Sequence, residues 1–288
     1  MFCNRSVYRK TIITLKFLDF VGHNNLERKA KMSNIKYLLK FGRREHVESF
    51  ASGSLYCSNA HTFWGIEENL KIKGQGDRLE GSSKFFAQKM TVHDYDDGSL
   101  VAEVPNCNGL VRYEPAKRIP VFCLFTVYED DCVIGADGAA CVKLSDKTKR
   151  SIREHFPQAD AVAIIENPVQ FLEDIECSIG CDVKHGEVHY FHIDEGLPTK
   201  DGGRAIDMEY MKYLVQDVSP VVESGRTTYK FVAKYVYRAL LCKDVYFKDE
   251  QEYRIVLPNE EIDLGTAYPV KYRNEIRVMN LDSFFNEM

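Results

Sequence analysis

Hydrophobic positions fall along the chain in two rhythms, and each rhythm predicts an element. The run "IKYLLKFG" (35–42) predicts a strand that closes on a glycine. In "RREHVESFASG" (43–53), Val47, Phe50 and Ala51 recur at helical spacing, and Gly53 stands where a C-terminal cap is expected. "SLYCSNAHTFW" (54–64) alternates faces and predicts a second strand. "KGQGDRLEG" (73–81) carries three glycines in nine residues and predicts a loop. "KFFAQKMTVHDYDDGSLVAEV" predicts a hairpin turning at Asp97-Gly98. "RIPVFCLFTVY" (118–128), the most continuous apolar run, predicts a central strand.

Beyond it, "GAACVKLSD" predicts a strand, with Ser145 or Asp146 capping the helix "KTKRSIREHF". "ADAVAIIEN" predicts another strand, and Asn167-Pro168 opens a helix through "VQFLEDIEC". "CDVKHGEVHYFHID" predicts a hairpin around His185-Gly186. "AIDMEYMKYLVQ" and "TYKFVAKYVYRALLC" have helical periods, although the β-branched and aromatic content of the second leaves a strand open. "NLDSFFNEM" predicts a terminal helix capped by Asn280 or Asp282. Strands and helices mix without regular βαβ alternation. The expected fold is α+β: a mainly antiparallel or mixed central sheet flanked by short helices, in one domain over residues 32–288.

One segment breaks the apolar rhythm with charge. In "KDEQEYRIVLP" (248–258), a period of two places Glu250, Glu252 and Arg254 on one strand face and Gln251, Tyr253 and Ile255 on the other. Like charges about 7 Å apart on one face repel unless something uses them. Two uses compete. In one, Arg254 pairs across the face and the carboxylates sit in water. In the other, Glu252 stabilises positive charge developing on a substrate, while Glu250 hydrogen-bonds a ribose hydroxyl or orients the nucleophile. An oxocarbenium-like centre is what a fixed carboxylate stabilises best.

The 288 residues include 38 basic and 43 acidic side chains, a formal net charge of -5, so no global field favours a polyanion. Nine scattered cysteines with no CxxC read as reduced thiols of a cytoplasmic protein. No apolar run approaches the roughly 18–20 residues that span a bilayer, so no membrane partner is expected. Glu27, Arg28 and Lys29 can be encoded by a purine-rich stretch resembling a bacterial ribosome-binding site ahead of Met32, so residues 1–31 read as an upstream extension.

Several chemistries find no support. Cys177, Cys181, His185, His189 and His192 invite a zinc reading, but on a strand the two cysteines would lie about 13 Å apart, too far for bonds of about 2.3 Å. No metal is expected. "KGQGDRLEG" lacks the GKS/T ending of a phosphate loop, GxSxG and HExxH do not occur, and "HDYDDG" lacks the glutamate that closes a calcium loop.

The order of the pieces "LLKFG", "SLYCSNAHTF", "GDRLEG", "VFCLFTV" and "KDEQEYRIV" resembles a widespread bacterial family of unassigned activity whose late strand carries glutamate-x-glutamate-tyrosine-arginine. Asp77, Glu80 and Gly81 match that family's acidic loop in part, and Val245 to Arg254 match its final motif apart from a missing tryptophan. The layout is in turn similar to the ADP-ribosyltransferase fold, including toxins and phage-defence effectors that modify nucleic acid. That resemblance implies NAD as substrate and a macromolecular acceptor, nucleic acid or protein, with an antitoxin as a further partner. It implies that Lys40 or Arg43 holds the NAD side, that Tyr56 and Ser58 support the site, and that Glu250 and Glu252 form the catalytic strand. Tyr56 or Phe63 would stack on nicotinamide, and Arg254 would hold a phosphate. Two other readings remain: a non-catalytic recognition module of a defence system, binding through "GDRLEG", and a Mg²⁺-dependent nuclease using Asp77, Glu80 and Glu252.

Overall fold

Why the chain needs a three-layer arrangement is visible in its first strand. Leu38 and Leu39 are consecutive and both fully buried, so β1 (Ile35–Gly42) must be covered on both faces. The computed structural model describes residues 34–70, 76–94, 96–134, 140–180, 182–223, 226–229 and 231–287. The expected extension 1–31 lies outside the described residues, as do Cys181 and positions 73–75 of the glycine-rich loop.

After β1 come α1 (Arg44–Ala51), β2 (Ser54–Cys57), α2 (Ala60–Leu70), β3 (Ser82–His93), β4 (Leu100–Arg112) and β5 (Val121–Tyr128). Then follow β6 (Cys132–Ile134), β7 (Ala140–Val142), α3 (Asp146–His155), β8 (Ala161–Ile165), α4 (Pro168–Ile179), β9 (Lys184–Glu187) and β10 (His189–Phe191). Two short pairs, β11 (Leu197–Pro198) with β12 (Arg204–Ala205) and β13 (Val221–Glu223) with β14 (Arg226–Thr228), flank α5 (Met208–Val215). The chain ends with β15 (Cys242–Asp244), β16 (Glu252–Val256), β17 (Thr266–Pro269), β18 (Arg277–Asn280) and α6 (Leu281–Glu287). Six strands form the main sheet in the order β18-β8-β1-β5-β16-β9, every neighbour antiparallel. The fold is α+β with mostly antiparallel sheets; β10 and β15 pair in parallel. No helix among the described residues is long and apolar enough to cross a membrane.

Strand periodicity divides the core. Leu38, Phe122, Leu124, Ala161, Ala163, Tyr253 and Ile255 pack on one face against Val47 and Phe50 of α1 and Phe171, Leu172 and Ile175 of α4. Leu39, Phe41, Phe125, Val127, Val162 and Ile164 pack on the other against Ile152 of α3 and Phe284 and Phe285 of α6. Each buried Val, Leu, Ile or Phe side chain among them contributes about 1.5–3 kcal/mol.

Four expectations are corrected. The strand drawn through 54–64 stops at Cys57 because Asn59 caps α2, its Oδ1 accepting from the Thr62 N–H and hydroxyl at 2.9 Å each. His185 and Gly186 do not turn a hairpin: both lie inside β9, paired with Ile255 and Arg254 of β16. The "TYKFVAKYVYRALLC" segment is a 3-10 helix over Ala233–Leu241 that passes into β15. Finally, "KDEQEYRIVLP" is not one strand. Val245–Glu250 is a 3-10 helix, Gln251 takes a left-handed conformation (φ 41°), and the strand starts only at Glu252. Glu252 and Arg254 therefore share a face as expected, whereas Glu250 arrives from a different element.

The main sheet forks. β1 pairs with β5 only as far as Leu39 opposite Phe125. From there β1 continues to Gly42 against β8, while β5 continues back to Val121 against β16. On the β5 arm, Ser58 follows β2 and exchanges both backbone hydrogen bonds with Val121, at 2.9 and 2.8 Å.

Candidate functional site

A cavity of about 250 Å³ occupies this fork. Its walls include Leu39 to Phe41 from β1 and Val121 to Phe125 from β5, the two segments that part company. In the fork the Lys40 ammonium donates to the Cys123 carbonyl at 2.8 Å and lies 4.6 Å from the Phe122 ring centre, taking the place of the missing ladder. Burial pushes the Lys40 pKa down. Tyr56 and Ser58 from the β2 segment, Gly76, Asp77 and Glu80 from the loop, and Glu252 and Arg254 from β16 complete one side. Ser151, His155 and Phe156 from α3, with Asp249 and Glu250 from the 3-10 helix, complete the other.

At the floor lies a buried ionic cluster. The Arg254 side chain is 1% exposed and all five of its N–H groups find acceptors. Nε donates to Glu252 Oε1 at 2.8 Å and Nη2 to Glu252 Oε2 at 3.2 Å. Nη1 and Nη2 reach Glu80 Oε1 and Oε2 at 2.5 and 2.9 Å, and Nη1 also donates to the Leu240 carbonyl at 2.5 Å. Lys243, one element away on β15, sits between the two carboxylates of the charged segment: its Nζ is 2.5 Å from Glu250 Oε2 and 3.2 Å from Glu252 Oε2. This lysine answers the repulsion posed by the sequence. Glu250 and Glu252 approach each other because a cation lies between them, not because they share a strand face.

Burial alone would raise the Glu252 carboxyl, but Arg254 and Lys243 outweigh it and hold the group well below the usual carboxylate range. For Glu250, burial dominates over Lys243, and its carboxyl is raised. Glu80 is pushed up to about 7 by burial, with the Arg254 guanidinium pulling the other way. Asp77 is raised by burial; its Oδ1 accepts from the Leu79 N–H at 2.8 Å, and its buried Oδ2 has no partner among the described residues. Two carboxyls of similar sequence context thus sit in opposite environments, one held below and one pushed above the ordinary carboxylate value.

Of the residues singled out from sequence, Lys40, Tyr56, Ser58, Glu250, Glu252 and Arg254 all line the cavity, drawn from three separate stretches of chain. Tyr56 is 61% exposed, at the mouth. Arg43 is not among the lining residues; its guanidinium bonds the Gln158 side chain on the surface. Arg254 faces a ring of internal acceptors, so the expected phosphate contact is corrected: no N–H remains for it. The carboxylate trio of the nuclease reading is corrected likewise, since both oxygens of Glu80 and of Glu252 are spent on Arg254. No group of three or more His, Cys, Asp or Glu side chains among the described residues is arranged to hold a metal ion. His185, from the zinc reading, instead meets the Tyr253 hydroxyl at 2.7 Å and Glu176 at 3.4 Å.

Lys243 and His155 were not read from the sequence. Lys243 carried a faint signal, a single cation directly after the apolar "RALLC". His155 carried none, because a histidine at the end of an amphipathic helix reaches a site only where the sheet has opened beside it. No protein-family model, curated protein or solved structure matches the chain.

Proposed function

We propose that the fork cavity is the site of an NAD-dependent, ADP-ribosyltransferase-like enzyme that moves ADP-ribose to a nucleic acid or protein acceptor. The observation that carries this reading is convergence: six residues chosen for that chemistry, from positions 40 to 254, meet in one cavity. The charge balance supports it. Of the five carboxyls that line the cavity with Lys40, Lys243 and Arg254, Glu252 is the one held firmly as an anion, which favours positive charge developing on a ligand beside it. The cavity volume suits the nicotinamide and its ribose, with the rest of the dinucleotide passing the mouth beside Tyr56. In the reaction, the bond from ribose C1′ to the nicotinamide nitrogen breaks and its electron pair leaves with neutral nicotinamide. Glu252, fixed as an anion by Arg254 and Lys243, stabilises the oxocarbenium character at C1′ while the acceptor attacks from the opposite face and gives up its proton.

A second reading has one observation in its favour. The oxygens of Glu252 are already engaged by Arg254 and Lys243, which also suits a cluster that only shapes a binding site. In that case the chain is a recognition module. The two separate on one experiment: NAD labelled in its adenylate phosphate is incubated with the protein and with nucleic acid and protein fractions of a bacterial lysate, alongside a Glu252→Gln variant of verified fold. Transfer of label by the wild type, reduced at least 100-fold in the variant, supports the enzyme. Nicotinamide release and labelling at background for both supports the recognition module.

A further inference from the structure

The cavity holds a titratable pair that the transferase reading leaves unused. His155 is the last residue of α3, its side chain 17% exposed, and both it and Ser151 one turn earlier line the cavity. Its Nδ1 lies 3.5 Å from Glu250 Oε1 and 3.4 Å from Ser151 Oγ, while Nε2 has no protein partner among the described residues. The other oxygen of Glu250 is held by Lys243 at 2.5 Å, and the same ammonium is 3.2 Å from Glu252. A continuous chain, His155–Glu250–Lys243–Glu252, therefore links an imidazole, through Glu250 and Lys243, to the carboxylate assigned to the ribose in the same cavity. Base, orienting carboxylate and charge-stabilising carboxylate are the parts a group transfer to a hydroxyl or amide acceptor requires.

We propose that His155 is the general base that deprotonates the acceptor, with Glu250 as its positioning residue. This rests on the ADP-ribosyl transfer reading. The Glu250 carboxylate, 3.5 Å from Nδ1, orients the ring by its charge while Nδ1 is hydrogen-bonded to Ser151 Oγ at 3.4 Å, which leaves the Nε2 lone pair for the acceptor. As the C1′–nicotinamide bond breaks and its pair departs with nicotinamide, the acceptor oxygen or nitrogen bonds to C1′ and its proton passes to Nε2. The imidazolium formed is stabilised by Glu250 and later loses its proton to water. Geometry and ionisation agree: burial first, then the Lys243 charge, push the His155 pKa down, so the imidazole is neutral and basic at neutral pH. The charged groups around it are Glu250 and Asp249 from the 3-10 helix, Lys243 from β15 and Glu154 from its own helix; the Asp249 and Glu154 charges pull the other way. Glu250 thus changes role from the one its position in glutamate-x-glutamate implies. It orients a base on the acceptor side rather than contacting the ribose.

The test uses the full chain, NAD as probe and water as acceptor, following nicotinamide release against pH. The wild type should show an acid limb with an apparent pKa below the ordinary histidine value of about 6.5. His155→Ala should lower kcat at least 100-fold with the NAD KM within about 3-fold, abolish that limb, and recover part of the rate with added imidazole. Glu250→Gln should lower kcat about 10-fold and move the limb without abolishing it. To separate chemistry from folding, His155→Gln, which keeps the size of the side chain, must show the same loss with a melting temperature near that of the wild type. Full activity in His155→Ala, an unmoved acid limb, or failure of imidazole to restore any rate overturns the role of His155 and leaves the transferase reading standing. Absence of NAD turnover in the wild type both with water and with the lysate fractions as acceptor overturns the transferase reading, and this inference with it.

Discussion

Arg254→Met tests the ionic floor of the cavity more directly than any other change. The wild-type guanidinium satisfies both carboxylates of Glu80 and Glu252 and the Leu240 carbonyl, all of them buried. Removing one partner of a buried ion pair costs about 3–5 kcal/mol, because the other charge is left desolvated. With two carboxylates orphaned and only Glu252 retaining Lys243, the loss should fall at the upper end, about 4–5 kcal/mol, a large part of a typical folding free energy of about 5–15 kcal/mol. The effect carries a pH signature. Glu80 is already pushed up to about 7 with Arg254 beside it, and without the arginine its folded pKa moves higher, further above the ordinary glutamate value of 4.5. A carboxyl raised on folding binds more protons in the native state, so its penalty grows as pH rises through the unfolded value and levels off only above the folded one. The deficit relative to wild type should therefore be smallest near pH 5 and widen toward pH 8, by at most about 1.4 kcal/mol per pH unit for each carboxylate. Glu252 has the opposite sign in the wild type: held below the ordinary glutamate value of 4.5, it contributes fully above about pH 4.5 and its contribution fades as pH falls further. Urea unfolding at four pH values, with m-values compared, reads both. A deficit under about 1 kcal/mol, or one independent of pH, would refute the account of a dry, mutually dependent cluster. Replacing Arg254, Glu80 and Glu252 together by methionine should restore stability to within about 2 kcal/mol of wild type, because no charge is then left alone.

Two further changes probe the fork and its scaffold. Lys40→Met keeps the volume of the stem and removes a partly desolvated charge, so unfolding free energy should change by less than about 1.5 kcal/mol while the NAD KM rises about 10-fold; a KM equal to wild type would take Lys40 out of the ligand site. Asn59→Ala removes the cap of α2 and the amide that donates to the Ile262 carbonyl at 2.7 Å, and should cost about 2–3 kcal/mol in urea unfolding, whereas Asn59→Asp keeps the cap but sets a buried carboxylate oxygen against that carbonyl and should cost at least as much.

Local chemistry made much of this fold readable. Ser145 and Asn167 cap their helices, their side chains accepting from the N–H of Thr148 and Gln170, and Asn280 accepts from Asp282 and Ser283 at the start of α6. Apolar alternation identified β1, β5 and β8, whose two faces enter two separate cores. The misreadings share a cause. "SNAHTF" starts a helix at the Asn59 cap, whose amide is held by a 2.7 Å contact to the Ile262 carbonyl about two hundred residues away, and β9 is extended because β16 offers it an edge. Neither partner is visible within a sequence window. The site follows the same logic. Its residues were legible as types, but their meeting depends on where the β1–β5 ladder stops, a property of competing strand partners on either side.

The fork links these observations. Where β1 leaves β5, backbone groups lose their ladder, and the sheet accommodates this with Lys40 on the Cys123 carbonyl and Ser58 on Val121. The same opening admits side chains from β16 and β15 that an unbroken sheet would have covered with apolar neighbours. Filling it with Arg254, Lys243 and their carboxylates is an inefficient way to gain stability, since an apolar cluster of equal volume would hold the arms together as well or better. A charge cluster in that place is better explained by what it does to a ligand than by what it does for the fold. The methionine triple variant separates the two: if it folds and melts like wild type yet releases no nicotinamide from NAD, the ionic floor belongs to chemistry, and if activity survives, the charges are structural after all.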